Sequence, residues 1–234
     1  MKVLEPDEAQ QAIHEHTRAE LQEAIREVQL LAGLDRNQEV PEPTLRPVTI
    51  GVTSPEYRDG KTTIAIALAA SLGHDLGSEV TLVDADLHTH SLARQYRLNE
   101  EAGFSELLAG SVSLDEATYR LGGSTVRVVP AGKPTADPGR VARSNRLGPV
   151  LEAIRNQSAH VVLDLPSVLN SMNTPALATR CDGVIIVVRH GKTTRAQLDR
   201  TLHLLRDANV IGVVVNRHRT SIPGWVQRSL GLRP

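Results

Sequence analysis

Ser54-Pro55-Glu56-Tyr57-Arg58-Asp59-Gly60-Lys61-Thr62-Thr63 decides how this chain is read. The segment follows directly on a β-branched run at 48–53 and leads into a stretch rich in Ala, Ile and Leu at 62–74. A strand, a turn holding Gly-Lys-Thr and then a helix are the setting in which a phosphate-binding loop works. Backbone N–H groups of such a loop and of the helix N-terminus point at the anion, and the helix dipole adds to their attraction. Lys61 would neutralise the outer phosphates of ATP or ADP, and Thr62 would offer its hydroxyl to Mg²⁺. Gly60 would let the backbone approach the phosphates with no Cβ in between, and Asp59 and Thr63 flank the triplet and complete the expected nucleotide-binding set. The triplet alone is a weak signal, since Pro55 stands where a glycine is expected five residues before Gly60. An ordinary strand-to-helix turn is the alternative that the surrounding strand and helix argue against.

Working outward, short apolar runs recur at 80–83, 126–129, 161–163, 184–188 and 210–215, with helical stretches between them at 62–74, 105–109, 144–157 and 194–207. Nearly continuous Val, Ile and Leu, rather than alternation with polar residues, marks parallel strands buried on both faces. The predicted fold is a three-layer, doubly wound α/β domain. Two of the runs end in acid: 80–83 leads into Asp84-Ala85-Asp86, and 161–163 into Asp164-Leu165-Pro166. Ligands bind at the C-terminal strand edge of open α/β sheets, so these carboxylates belong with the loop. Asp164 is expected to hold Mg²⁺ through water, with Thr62 and Asp84 as the other metal-site residues. Asp84 and Asp86 would position or deprotonate an attacking hydroxyl, while Lys61 and the metal stabilise charge. Capping of the following turn would explain any one of these aspartates, but not three in order behind a phosphate loop.

The composition narrows the classes. The chain has 234 residues, 40% hydrophobic and 23% charged, with a formal net charge of −1, which suits one α/β domain and a short appendage. One Trp, one Phe and three Tyr leave no base-stacking platform, and the near-neutral charge argues against specific nucleic-acid binding. Cys181 is the single cysteine and cannot form an internal disulfide. No apolar run approaches the roughly 20 residues that cross a bilayer, so the expectation is a cytoplasmic protein.

Residues 1–47 read as an appendage. At 6–31, Ile13, Thr17, Leu21, Ala24, Ile25 and Val28 recur at helical steps, and Pro41, Pro43 and Pro47 then stiffen a linker into the 48–219 body. Residues 220–234 form a basic tail whose Trp225 lies beside aliphatic residues, a composition suited to peripheral contact with a membrane surface; a short helix packed on the domain is the alternative.

Together these motifs resemble the cytoplasmic kinase domain of the bacterial tyrosine kinases that control capsule and exopolysaccharide synthesis, relatives of the partition and division-site ATPases. The likeness spans residues 48–219. It is carried by Thr53-Ser54-Pro55 through Thr63, by Val83-Asp84-Ala85-Asp86-Leu87-His88, by Asp164-Leu165-Pro166-Ser167, and by 181–189, 191–195 and 211–216. The resemblance implies that Asn216 helps to hold the adenine. It also implies a membrane-embedded polysaccharide co-polymerase as partner, and homo-oligomers assembled through the N-terminal helix.

Departures from the pattern are informative. Arg58 stands where relatives carry a small flexible residue, and Glu56 where partition and division-site ATPases carry a lysine. His88 replaces an arginine. The oligomerisation pattern at Glu23 and Arg26 has Gln29 in place of its second arginine, which removes one bidentate partner. Tyr57, Tyr96 and Tyr119 are the only tyrosines, so phosphorylation of a tyrosine-rich tail is not expected. The leading expectation is an ATP-binding, Mg²⁺-dependent tyrosine kinase-like P-loop ATPase. An ATPase switch and a nucleotide-binding scaffold with little turnover stand beside it.

Overall fold

The computed structural model describes residues 2–4, 48–75, 77–98, 102–135, 137–139 and 144–217. The strands are β1 (Lys2–Leu4), β2 (Val48–Thr53), β3 (Val80–Asp84), β4 (Tyr119–Leu121), β5 (Val126–Val129), β6 (His160–Asp164), β7 (Gly183–Arg189) and β8 (Val210–Asn216). They form one sheet in the order β1-β4-β5-β3-β6-β2-β7-β8. The six strands from β5 to β8 in that order run parallel, as their two-sided apolar character predicts. β4 pairs antiparallel with β5, and β1 pairs parallel with β4, adding a short two-strand edge.

The helices are α1 (Lys61–Asp75), α2 (Ser91–Tyr96), α3 (Phe104–Ala109), α4 (Leu114–Ala117), α5 (Leu147–Arg155), α6 (Thr174–Ala178) and α7 (Arg195–Leu204). Alternate strand residues serve opposite faces. Val162 of β6 and Ile185 of β7 meet Ile64, Leu68 and Leu72 of α1, whereas Val161, Leu163, Val184 and Ile186 join a second core with Phe104, Leu151, Ile154 and Leu177. Each fully buried Leu or Ile contributes roughly 1.5–3 kcal/mol, and these two cores fix the three layers.

β2 lies between β6 and β7. The chain leaves it towards β3 on one side, while β7 and β8 lie on the other, so the winding reverses beside β2. An open sheet places its ligand crevice at such a reversal, and the phosphate loop begins there.

The predicted strands reappear, lengthened by a residue or so at their ends, and the 144–157 helix narrows to Leu147–Arg155. β1, β4, α2, α4 and α6 were not expected. Of the expected appendage, residues 2–4 form the edge strand β1; the helix at 6–31, its linker and the tail at 220–234 lie outside the described residues. Among the described residues no helix is long and apolar enough to cross a membrane.

Candidate functional site

Lys61 opens α1, and the first turn of that helix contains no acidic residue to neutralise its positive end. The side chain is buried and lies between two carboxylates, with Nζ 3.0 Å from Asp86 Oδ2 and 3.3 Å from Asp164 Oδ1. Thr62 Oγ1 donates to Asp164 Oδ2 at 2.6 Å. Lys61, Thr62, Asp86 and Asp164, drawn from three separate stretches of sequence, thus meet at one point. Thr63 is exposed in the same first turn.

Asp84 stands at the same strand edge. It is fully buried at the end of β3, in register with Asp164 on β6. Its Oδ1 accepts from the Asp86 N–H at 3.1 Å and its Oδ2 from the Leu92 N–H at 3.0 Å. It therefore shapes the 85–92 turn that carries Asp86 to Lys61, and the direct contact with Lys61 belongs to Asp86.

The charges follow from these surroundings. Burial pushes Asp84 up to about 8, and the neighbouring Asp164 charge adds to the rise. Burial also raises Asp164, against the pull of Lys61 and the Thr62 hydroxyl. Burial alone would raise Asp86 too, but the Lys61 charge overcomes it and holds Asp86 below the usual carboxylate range. Lys61 in turn is desolvated, yet Asp164 and Asp86 outweigh that and lift it above its ordinary value. Apart from the Lys61 ammonium at 3.0 Å, Asp86 Oδ2 is buried without a further hydrogen-bond partner among the described residues.

The loop itself is stitched to the segment after β6. Thr53 Oγ1 donates to the Pro166 carbonyl at 2.7 Å, and Val168 N–H and Leu169 N–H donate to the Ser54 and Pro55 carbonyls. Asp59 is buried; its Oδ2 accepts from the Glu56 N–H at 3.1 Å, and burial raises its carboxyl. Asn216, at the end of β8, donates through Nδ2 to the Asp59 carbonyl at 2.9 Å. A Cβ on Gly60, where φ is +101°, would run into that Asn216 amide, so both conformation and space require glycine. Arg58 has φ +66°, a left-handed conformation in a non-glycine residue, which matches the small flexible residue expected at this place.

Glu56, Asn170, Gln197 and Ser167 complete the frame around the loop. Asn170 Nδ2 donates to Glu56 Oε2 at 2.7 Å and Gln197 Nε2 to Glu56 Oε1 at 3.4 Å, while Ser54 and Ser167 hydroxyls meet at 3.3 Å. No motif marked Asn170 or Gln197 for this place, because each acts more than a hundred residues away in sequence. The one visible signal was the Thr194–Gln197 capping box at the start of α7.

The donor set suits a magnesium nucleotide. A threonine hydroxyl and a carboxylate are hard oxygen ligands, a helix start without acid favours an anion, and Gly60 leaves room for a close backbone approach. Mg²⁺ keeps most of its coordination for water and phosphate. Its site therefore requires no cage of protein ligands, and among the described residues no group of three or more His, Cys, Asp or Glu forms one.

Comparison with known proteins places the chain in a family. A sequence profile described as the CobQ/CobB/MinD/ParA nucleotide binding domain matches residues 52–223. The chain is 29% identical over 181 residues to the tyrosine-protein kinase ptk of Acinetobacter johnsonii, covering 76% of this chain and 24% of that protein. It is 23% identical over 176 residues to the tyrosine-protein kinase CpsD of Streptococcus agalactiae, covering 74% of this chain and 76% of that one. It thus spans about a quarter of the first relative's length and about three quarters of the second's. Among solved structures the fold is similar to the chimerical protein CapA2B2, with a TM-score of 0.78, 19% identity and 94% of each chain covered. Since the profile match begins inside β2 and runs past β8, taking in every residue that meets at Lys61, the chain belongs to the CobQ/CobB/MinD/ParA nucleotide-binding domain family.

Proposed function

We propose that this protein is an ATP-binding, Mg²⁺-dependent P-loop enzyme of the bacterial tyrosine kinase type, acting in capsule or exopolysaccharide synthesis beside a membrane-embedded polysaccharide co-polymerase. The observation that carries the reading is the convergence of Lys61, Asp86, Asp164 and Thr62 at the start of α1. The relatives named as tyrosine-protein kinases support the choice of chemistry.

In this reading Thr62 and Asp164 hold the metal, directly and through water, and Mg²⁺ supplies charge neutralisation on the phosphates. Asp59, Gly60, Lys61, Thr62 and Thr63 present the loop and helix start to the phosphates, and Asn216 serves the adenine end. Lys61 turns its charge from the carboxylates to the phosphates. Asp86 then loses the cation that keeps its proton affinity low, and burial makes it a stronger acceptor for the proton of an attacking hydroxyl. Base strength is thereby tied to nucleotide loading. Asp84 stays on the backbone of the 85–92 turn as the residue that positions Asp86.

The test follows the fate of the γ-phosphate. Purified protein is incubated with labelled ATP and Mg²⁺, alone and with a tyrosine-containing polypeptide. Label on tyrosine is the expected result. Phosphate release without tyrosine label would replace the kinase with an ATPase switch, and binding without turnover would leave a nucleotide-binding scaffold. Loss of all turnover in Asp86→Asn, with nucleotide binding retained, would assign the proton acceptor.

A further inference from the structure

We infer that Glu56 and Gln197 form a positioning pair through which nucleotide occupancy of the phosphate loop is transmitted to α7. The inference rests on the nucleotide site proposed above and concerns a helix outside the four residues that meet at Lys61.

The argument begins with the chemistry of one amide. Gln197 Oε1 accepts from the Thr194 N–H at 2.9 Å and closes the helix cap, while Gln197 Nε2 donates to Glu56 Oε1 at 3.4 Å. A primary amide can do both at this reach, whereas a carboxylate has no donor and an ammonium no acceptor. Glu56 in turn belongs to the phosphate loop. Its backbone N–H holds Asp59 Oδ2, its carbonyl accepts from Ser54 Oγ, and its other carboxylate oxygen is held by Asn170. Asn170 lies on the segment that starts at Asp164 and is tied to Ser54 and Pro55 by backbone bonds. Any rearrangement at Asp164 or the loop therefore reaches Glu56.

α7 is suited to respond. Within the helix only Thr201 is buried, with Leu198 half-buried against the core and Leu205 buried just beyond its end. Its hold on the body is thin, so one contact at its first turn is a large share of what fixes its N-terminal end. The Gln197–Glu56 contact is long, at 3.4 Å, and has room to tighten. Phosphate charge added to the loop makes an unneutralised carboxylate there more costly and strengthens the hydrogen bonds it accepts. Loading therefore draws Gln197 and the first turn of α7 towards the loop.

Hydrogen exchange on the whole chain tests this, with Mg²⁺ plus ADP or a non-hydrolysable ATP analogue at saturation, and calorimetry on the same samples to establish binding. In the wild type, exchange of the Gln197 and Leu198 amides slows about five-fold on loading, the protection that one hydrogen bond of ordinary net strength confers. Gln197→Glu keeps the capping box but replaces the donor with a like charge, so the helix no longer responds although nucleotide still binds. Adding Glu56→Gln to that variant restores a donor facing an acceptor and restores the response. Glu56→Ala, which leaves the cap untouched, must silence the helix as well and serves if Gln197→Glu does not fold. A wild-type helix unmoved by bound nucleotide, or a Gln197→Glu helix that responds like wild type, overturns the pair while leaving the site standing. Calorimetry showing no binding overturns the site and the pair with it.

Discussion

Lys61→Met removes the charge at the centre of the site while keeping the aliphatic stem in its buried place. Lys61 is the cation paired with Asp86 and Asp164, and those two carboxylates and Asp84 are all fully buried. Breaking a buried pair from one side costs roughly 3–5 kcal/mol, because the remaining charge has neither water nor a partner. Proton uptake offers an escape. With Lys61 gone, burial, the largest influence on Asp86, is opposed by the Thr89 and His88 hydrogen bonds but no longer by the cation, so its pKa rises from below the usual range. A group whose folded pKa is raised stabilises the fold below that pKa and loses the contribution as pH rises through it. The variant therefore binds about one more proton than wild type near neutrality. Over two pH units one proton is worth about 2.7 kcal/mol. The deficit of Lys61→Met should be about 3 kcal/mol at pH 7.5, a fall in melting temperature of roughly 6–12 °C, and should shrink to about 1 kcal/mol or less at pH 5.5. Denaturant unfolding of both proteins at the two pH values, with chelator and no nucleotide, measures it. Equal stabilities at pH 7.5, or a deficit that does not narrow on acidification, would refute the buried-pair reasoning.

Other perturbations test other parts of the site. Gly60→Ala sets a Cβ against Asn216 at φ +101° and should cost about 1–3 kcal/mol and abolish nucleotide binding, read by melting and titration. Asn216→Ala removes the bond to the Asp59 carbonyl and should lower stability by about 1 kcal/mol while weakening adenine nucleotides, measured the same way. Arg58→Gly relieves left-handed strain at φ +66°, offset in part by glycine's freedom in the unfolded chain, so it should melt at or above wild type. A clear fall would mean that the Arg58 side chain holds the loop. Burial and the Asp182 charge push the Cys181 thiol up to about 12, so it should resist a thiol reagent at pH 8 until the protein unfolds.

The body of this fold is legible because its strands are buried on both faces. Val184 to Val188 must be apolar at every position when Val184 faces one core and Ile185 the other, and such runs stand out in a sequence. The edge pair has no such signature: β1 and β4 are three residues each, too short for a period. α2, α4 and α6 span six residues or fewer and lack the cluster of Phe104, Leu107 and Leu108 that makes the equally short α3 visible. At the site, Lys61, Asp86 and Asp164 could be gathered in advance, since strand ends in a parallel sheet share one edge. The division of labour between Asp84 and Asp86 could not, because it depends on which backbone amides the 85–92 turn presents. Glu56, Asn170 and Gln197 show the same limit. Their meeting is a product of tertiary packing, and neither Asn170 nor Gln197 is chemically unusual where it stands in the sequence.

The central claim is that the turn after β2 binds a magnesium nucleotide through Lys61. Calorimetric titration of ADP with Mg²⁺ into wild type and Lys61→Met is the direct measurement. Wild type should take up one nucleotide per chain, and at a hundredfold excess over Kd it should gain about 2.7 kcal/mol and melt several degrees higher, whereas Lys61→Met should do neither. Absence of heat and of any melting shift in wild type, or equal binding by Lys61→Met, would contradict the account.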